Sequence, residues 1–128
     1  MSSILVICAY RDQVKAVGDI LQGMVSRVAT IDSLQGAEAD VAIVCTTRSS
    51  PSERKQSADK DEEESLGEDF LDLKARINVA ITRAKHALIV LAHPKYTEAT
   101  VHWKHITKLA EERNTTVTEH ELRRKWNL

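Results

Sequence analysis

Two arginines seven residues apart, Arg76 and Arg83, are the side chains of this sequence best suited to contact a phosphate. They lie in residues 72–85, whose apolar side chains recur every three or four positions and predict an amphipathic helix. The spacing places both arginines on one side of that helix, at the margin of its apolar stripe. Arginine stays charged and can engage two oxygens, which suits phosphate binding. The simpler alternative is two solvated arginines beside a core helix.

The elements that must position these arginines are short apolar strands alternating with helices. Strands are predicted at residues 4–8, 28–31, 41–45 and 86–92, and the last run is apolar enough to predict burial on both faces. Helices are predicted at about residues 14–24 and 100–113, and a capping box of Thr118 and Glu121 predicts another through Trp126. This alternation predicts an α/β fold with a mainly parallel sheet.

The default ligand site of such a sheet lies beyond the carboxyl ends of its strands. Tyr10, residues 32–38 and Arg48 all follow predicted strand ends, so we expect them to share one edge. The four glycines form neither a GxxxxGK[ST] phosphate loop nor a GxGxxG turn. The chain therefore has no recognisable nucleotide cradle of its own.

Length and charge suit one globular domain spanning residues 1–128, with a polar insert. Residues 49–69 carry eight acidic side chains against three basic ones, so the segment has a net charge of −5 and the remainder +4. The insert has too few apolar residues to bury and is predicted to be a disordered, solvated acidic loop. A mildly basic body permits a nucleic-acid partner without demanding one.

Other features exclude several classes of protein. No apolar run approaches the roughly 20 residues of a membrane helix, and no leader precedes the first strand. An intracellular protein, cytoplasmic or nuclear, with free buried thiols at Cys8 and Cys45 is therefore expected. His102 and His105 lack nearby cysteines or a second ligand pair, so no metal site is expected.

Three segments together resemble the C-terminal motifs of superfamily 1 helicases. Residues 7–13 (ICAYRDQ) are similar to motif IV, residues 30–40 (TIDSLQGAEAD) to motif V and residues 76–85 (RINVAITRAK) to motif VI. The resemblance is to the branch that includes the nonsense-mediated-decay helicase, senataxin and Dna2-type enzymes. It implies the second lobe of a three-layer, RecA-like P-loop NTPase, although this chain lacks the phosphate loop itself.

The resemblance also implies roles at an ATP site. Arg83 would be the arginine finger at the γ-phosphate, stabilising charge that spreads onto phosphoryl oxygens. The remaining candidates are Glu38, Gln35 and Gly36 near the phosphates or the attacking water, Tyr10 near the adenine, Gln13 lining the cleft, and Arg76 as a supporting contact. Magnesium-bound ATP is expected only together with a first RecA-like lobe, supplied in cis or in trans.

The resemblance also implies contacts to nucleic acid. Thr30, Ser33 and Arg48 are candidates for contacts to the backbone phosphates of single-stranded RNA or DNA, which position a strand without reading its sequence. The resemblance does not distinguish RNA from DNA.

Departures from the family pattern limit what this chain can do alone. Ala9 replaces the usual proline, Val14 stands where some members have arginine, and Ala37 stands where arginine is frequent. The first lobe is absent, so we expect a piece of an ATP-dependent helicase that does not hydrolyse ATP by itself. The alternative is a helicase-derived, non-catalytic module that binds RNA or protein. Self-association through an exposed sheet edge is also possible.

Overall fold

The computed structural model describes residues 3–34, 36–46 and 74–127, so the predicted acidic loop at residues 49–69 lies outside the described residues. Four strands alternate with helices along these ranges. The elements in chain order are β1 (Ile4–Cys8), α1 (Arg11–Ile20), β2 (Arg27–Thr30), a 3-10 turn (Ile31–Ser33), β3 (Ala39–Cys45), α2 (Lys74–Ile81), β4 (Ala84–Leu91), α3 (Pro94–Ala99), α4 (His102–Glu112) and α5 (Glu119–Trp126).

The described strands form one parallel sheet in the order β2-β1-β3-β4. Because parallel crossovers are right-handed, the step from β1 to β2 and the opposite steps to β3 and β4 put their connections on opposite faces. Helix α1 packs on β1 and β2, whereas α2 lies against β3 and the 3-10 turn. The α/β prediction is therefore confirmed, with a layer of helix on each side of a parallel sheet.

The main core lies on the face covered by α2, α3 and α4. Alternate residues of β1, such as Leu5 and Ile7, point into it because side chains of a strand alternate between faces. Two aromatic side chains from α3 and α4, Tyr96 and Trp103, are its largest members and are almost fully buried. Their burial fixes the C-terminal helices against the sheet.

The helix that carries the two arginines is shorter than predicted. Helix α2 ends at Ile81, and Arg83 lies in the turn before β4 rather than on the helix with Arg76. The prediction that both share one helical side is therefore wrong. Ala84 pairs with Ala39 as the first residue of β4, and small apolar residues fit a helical stripe and a strand equally well. Periodicity alone cannot place this boundary.

The prediction that the last strand is covered on both faces is also wrong. Within the described sheet β4 pairs only with β3, at the edge. Leu88, Ile89 and Leu91 are 39%, 46% and 52% exposed, because the described helices pack mainly against β1, β2 and β3 rather than against β4. The apolar run therefore marks an incompletely covered edge strand. Self-association through this edge stays a prediction.

Other helix boundaries show where local signals succeed and fail. Helix α1 begins earlier than predicted and stops at Ile20, leaving Met24 71% exposed beyond its end. Helix α3 is not among the predicted helices and begins at Pro94, because proline is favoured in the first turn of a helix. The predicted capping box of Thr118 and Glu121 is confirmed, with both reciprocal hydrogen bonds present. No helix among the described residues has the length and apolar character needed to cross a bilayer.

Candidate functional site

The segment between β2 and β3 connects the two ends of the sheet. Strand β2 ends at Thr30 and the parallel β3 begins at Ala39, so residues 31–38 must return from the carboxyl edge to the amino edge. Leu34 is 0% exposed and anchors this crossover in the core. Gly36 has a φ of +76°, a left-handed conformation that glycine adopts without steric cost. The motif V residues are thus spread along the sheet.

Arg83 lies at the amino edge, where its guanidinium ties this crossover to the end of α2. Its Nε donates to the carbonyl of Val79 at 3.1 Å, and its Nη1 donates to the carbonyl of Ala37 at 3.3 Å. Its Nη2 donates to the hydroxyl of Thr82 at 3.0 Å. The carbonyl of Arg83 also accepts from the N–H of Ala39 at 3.0 Å. Motif V and motif VI are therefore joined through one arginine.

Ionisable side chains of residues 38–40 and 85–86 also lie at the amino edge. Exposed Glu38, next to Ala37, lies 4.0 Å from Lys85 Nζ. Asp40 accepts hydrogen bonds from the backbone N–H and hydroxyl of Ser3 at 2.9 and 3.3 Å, and its other oxygen is 3.7 Å from His86 Nε2. The Ser3 N–H, followed by its hydroxyl and the nearby charge of His86, lowers the pKa of Asp40. We call Arg83, Glu38, Lys85, Asp40 and His86 the amino-edge cluster.

Arg76 lies near the other end of α2, at the carboxyl edge. Its Nη1 forms an ion pair with the carboxylate of Asp32, in the 3-10 turn after β2. The side chain of Arg76 is 26% exposed, so this pair joins α2 to the start of the crossover at a half-buried position. In the same turn, the Thr30 hydroxyl donates a hydrogen bond to the Ser33 hydroxyl at 3.1 Å, and the Ser33 hydroxyl donates to the Thr30 carbonyl at 3.0 Å.

Tyr10 and Gln13 belong to the same carboxyl edge. Tyr10 follows β1, occupies the residue before α1 and packs partly buried against the main core. Gln13, one turn into α1, is half-buried. Gln35 and Arg48 lie outside the described residues, so their predicted roles stay predictions.

The candidate residues therefore do not share one edge as predicted. Tyr10, Thr30 and Arg76 belong to the carboxyl edge, whereas Glu38 and Arg83 belong to the amino edge. The seven residues of β3 separate the two edges by about 20 Å. The prediction treated residues 32–38 as a loop beyond one strand end, but a segment between parallel strands has to cross the sheet.

Sequence reasoning also missed partners of both arginines. The carbonyl of Ala37 and the hydroxyl of Thr82 hold Arg83, and Asp32 holds Arg76. A carbonyl partner leaves no signal in residue type, whereas the acidic Asp32 within motif V was a visible candidate. A separate groove of about 340 Å³ lies between α1 and the start of β2, beside Lys15 and Arg27. Neither Arg76 nor Arg83 lines it.

Comparisons with known proteins show the family of this chain. A family model described as an AAA domain matches residues 1–95. A DNA replication ATP-dependent helicase/nuclease DNA2 from Bos taurus is 40% identical over 94 residues, which are 70% of this chain and 8% of that protein. A regulator of nonsense transcripts 1 homolog from Drosophila melanogaster is 31% identical over 90 residues, 70% of this chain and 6% of the relative.

A third relative extends further along the chain. The probable helicase MAGATAMA 3 from Arabidopsis thaliana is 32% identical over 120 residues, covering 88% of this chain and 13% of that protein. The chain thus spans only a small part of the length of each of these relatives.

The parallel sheet and the matched family define a P-loop NTPase-type α/β domain. More narrowly, the chain belongs to the AAA domain family and corresponds to a lobe of the superfamily 1 helicases related to DNA2 and the regulator of nonsense transcripts 1.

Proposed function

We propose that this chain acts as part of the second RecA-like lobe of an ATP-dependent superfamily 1 helicase, with Arg83 as its arginine finger. The observation that carries this proposal is the hydrogen bond from Arg83 to the carbonyl of Ala37, beside Glu38. It holds the guanidinium against the motif V segment. A finger must be positioned before the reaction, because its benefit depends on a fixed charge at the transferring phosphate.

The bonding of Arg83 leaves capacity for a ligand. A guanidinium has five N–H groups, and three of them donate to partners among the described residues. The other two have no hydrogen-bond partner among the described residues and would be the groups that donate to phosphoryl oxygens. Lys85 and Arg83 both carry positive charge at this edge, while Glu38 supplies a carboxylate that can orient a water molecule. This donor set suits the γ-phosphate end of a nucleotide held from outside.

The rest of the nucleotide site has to come from elsewhere. The sequence contains no phosphate loop, so the triphosphate and its magnesium ion would be held by a first RecA-like lobe. ATP supplies the phosphoryl group when bound there. Gly36 and Gln35 would approach its phosphates through the backbone and an amide. Tyr10, Gln13 and Arg76 belong to the other edge of the sheet, about 20 Å from Arg83, so they are not assigned to this phosphate site.

The opposite edge suits single-stranded nucleic acid. Thr30 and Ser33 present hydroxyls beyond β2, and such groups contact the sugar-phosphate backbone without reading bases. Arg48 would add a positive charge. A site at this edge would share residues 31–38 with the finger site, so that nucleic acid and nucleotide act on opposite ends of one segment.

The test is ATP turnover by a protein that joins this chain to a first RecA-like lobe. With Arg83→Ala we expect nucleic-acid-stimulated kcat to fall on the order of 10³-fold, because transition-state charge loses its partner. Arg83→Lys should rescue little, since a lysine cannot reproduce the planar fork. Arg113→Ala, at the exposed arginine that follows helix α4, is the matched control and should leave kcat unchanged.

Arg83 also has structural bonds, so folding has to be measured alongside turnover. The finger role predicts a loss of kcat much larger than any loss of folded protein seen by circular dichroism. Normal turnover by Arg83→Ala would contradict the assignment. A loss of activity that matches the unfolded fraction would make Arg83 a purely structural residue.

A second candidate function, a non-catalytic binding module, is favoured by helix α5. Its last turn carries Arg123, Arg124 and Lys125, and the adjacent Trp126 is 67% exposed. Basic and aromatic side chains together suit single-stranded nucleic acid. This alternative predicts salt-sensitive RNA binding by the isolated chain without ATP, lost in Trp126→Ala; binding that needs ATP and a first lobe would contradict it.

A further inference from the structure

The two cysteines lie side by side on neighbouring strands, and the proposed function uses neither. Cys8 is the last residue of β1 and Cys45 the last of β3, and the two are paired in the parallel ladder. Paired residues of adjacent strands project to the same face of a sheet. Both thiols therefore lie together at the carboxyl edge, on the face away from the main core, and both are free.

The spacing of these strands suits a disulfide. Neighbouring strands are about 4.8 Å apart, and disulfides join Cα atoms separated by roughly 4.4–6.8 Å. The two side chains lie within interaction distance, because each thiol shifts the pKa of the other. No large backbone movement is needed to bring them together.

The two thiols differ in exposure and in acidity. Cys8 is 0% exposed, whereas Cys45 is half-buried and accessible from the incompletely covered face over β3. The hydrogen bond from Cys8 lowers the pKa of Cys45. The same bond, together with burial, raises the pKa of Cys8. Since the thiolate is the reactive form, Cys45 is the thiol that meets an oxidant first.

We propose that Cys8 and Cys45 form a reversible dithiol–disulfide pair that responds to hydroperoxides. The thiolate of Cys45 attacks a peroxide oxygen, the O–O bond breaks, and Cys45 becomes a sulfenic acid while hydroxide leaves. The sulfur of Cys8 then attacks the sulfur of Cys45. The S–S bond forms, the S–O bond breaks, and the hydroxyl leaves with the Cys8 proton as water. Two thiols are oxidised to one disulfide, and hydrogen peroxide is reduced to two molecules of water.

This pair goes beyond the helicase role and does not depend on it. A bond between the last residues of β1 and β3 would tie together the two central strands directly before Tyr10 and Thr46. Thr46 is 2% exposed, and its N–H donates to the carbonyl of Leu91 at 3.1 Å. The disulfide therefore acts where the chain leaves both strands for the carboxyl edge.

The experiment is treatment of the folded 128-residue chain with hydrogen peroxide, followed by intact mass and peptide mapping without reductant. We expect a mass loss of about 2 Da in the monomer and a linked peptide pair containing Cys8 and Cys45. When the treated chain is then unfolded without reductant, neither thiol should be labelled by iodoacetamide, whereas both are labelled in the unfolded untreated chain. Dithiothreitol should restore both labels. In denaturant the linkage should form at least about tenfold more slowly, because the strand register holds the sulfurs together.

Two variants separate the steps. Cys8→Ala should leave Cys45 as a sulfenic acid that dimedone traps, and Cys45→Ala should leave Cys8 unreactive in the folded chain; circular dichroism verifies that both fold. The wild-type measurement needs no variant. Links found only in covalent dimers, or oxidation of Cys45 beyond the sulfenic acid while Cys8 still takes iodoacetamide, would overturn the proposal.

Discussion

Leu34 is the residue whose removal tests most directly how the crossover is held. It is 0% exposed and belongs to the main core, midway along the segment that links Thr30 to Glu38. Leu34→Ala removes the equivalent of about three methylene groups, each worth about 0.8 kcal/mol of burial. A residual cavity adds to this transfer cost, so we expect the free energy of unfolding to fall by about 3 kcal/mol.

Urea unfolding followed by tryptophan fluorescence measures this loss. Trp103 is 1% exposed and reports the core, whereas Trp126 is 67% exposed in the folded protein. With a slope of about 1.5 kcal/mol per molar urea, the midpoint should fall by about 2 M. Leu122→Ala, at a leucine that is 41% exposed in α5, is the matched control and should shift the midpoint by less than about 0.3 M.

The size of the stability loss in Leu34→Ala decides whether Leu34 packs tightly in the core or makes only loose contacts with the sheet. A loss below about 1 kcal/mol in Leu34→Ala would show that the leucine has no tight core contact to lose. Leu34→Met is expected to cost less than about 1.5 kcal/mol, since it keeps volume and apolar character. Equal losses in Leu34→Met and Leu34→Ala would contradict the cavity explanation.

Two further changes test the amino end of the crossover. Gly36→Ala forces a side chain into the left-handed region at φ +76°, so the free energy of unfolding in urea should fall by about 1 kcal/mol, and an unchanged midpoint would contradict the backbone geometry. The lowered pKa of Asp40 means that its carboxylate contributes stability above its ordinary pKa, and that this contribution is lost as the pH falls through the lowered value. Asp40→Asn should therefore show a shallower fall of the urea midpoint between about pH 5 and pH 2 than the wild type, and identical slopes would refute the bond from Ser3.

How far the sequence predicts this fold depends on which signals are local. The strand at residues 4–8 is matched residue for residue by β1, and the capping box of α5 is matched bond for bond. Both signals are complete within a few residues. The end of α2 is different, because Ala84 fits a helix and a strand equally well. Its assignment to β4 depends on its pairing with Ala39, which is distant in sequence.

The site was predictable in its residues but not in its geometry. Motif V and motif VI could be recognised from residue types, and the matched family supports that recognition. The separation of Glu38 from Thr30 could not be read from spacing, since it depends on the order β2-β1-β3-β4. The prediction that β4 is buried on both faces was wrong for the same reason, because an apolar run does not indicate which elements lie next to a strand.

The two arginines give a physical reason for that separation. Arg76 pairs with Asp32 at the start of the crossover, and Arg83 donates to Ala37 near its end. Helix α2 and the crossover are thus parallel connections between the two edges, joined at both ends by guanidinium contacts. Under the proposed function, a phosphate bound by the remaining N–H groups of Arg83 would act directly on the contact between Arg83 and Ala37. A movement at this contact would be passed along residues 31–38 toward Thr30. Because Leu34 is buried in the middle of that segment, it would be the fixed point about which the two ends move.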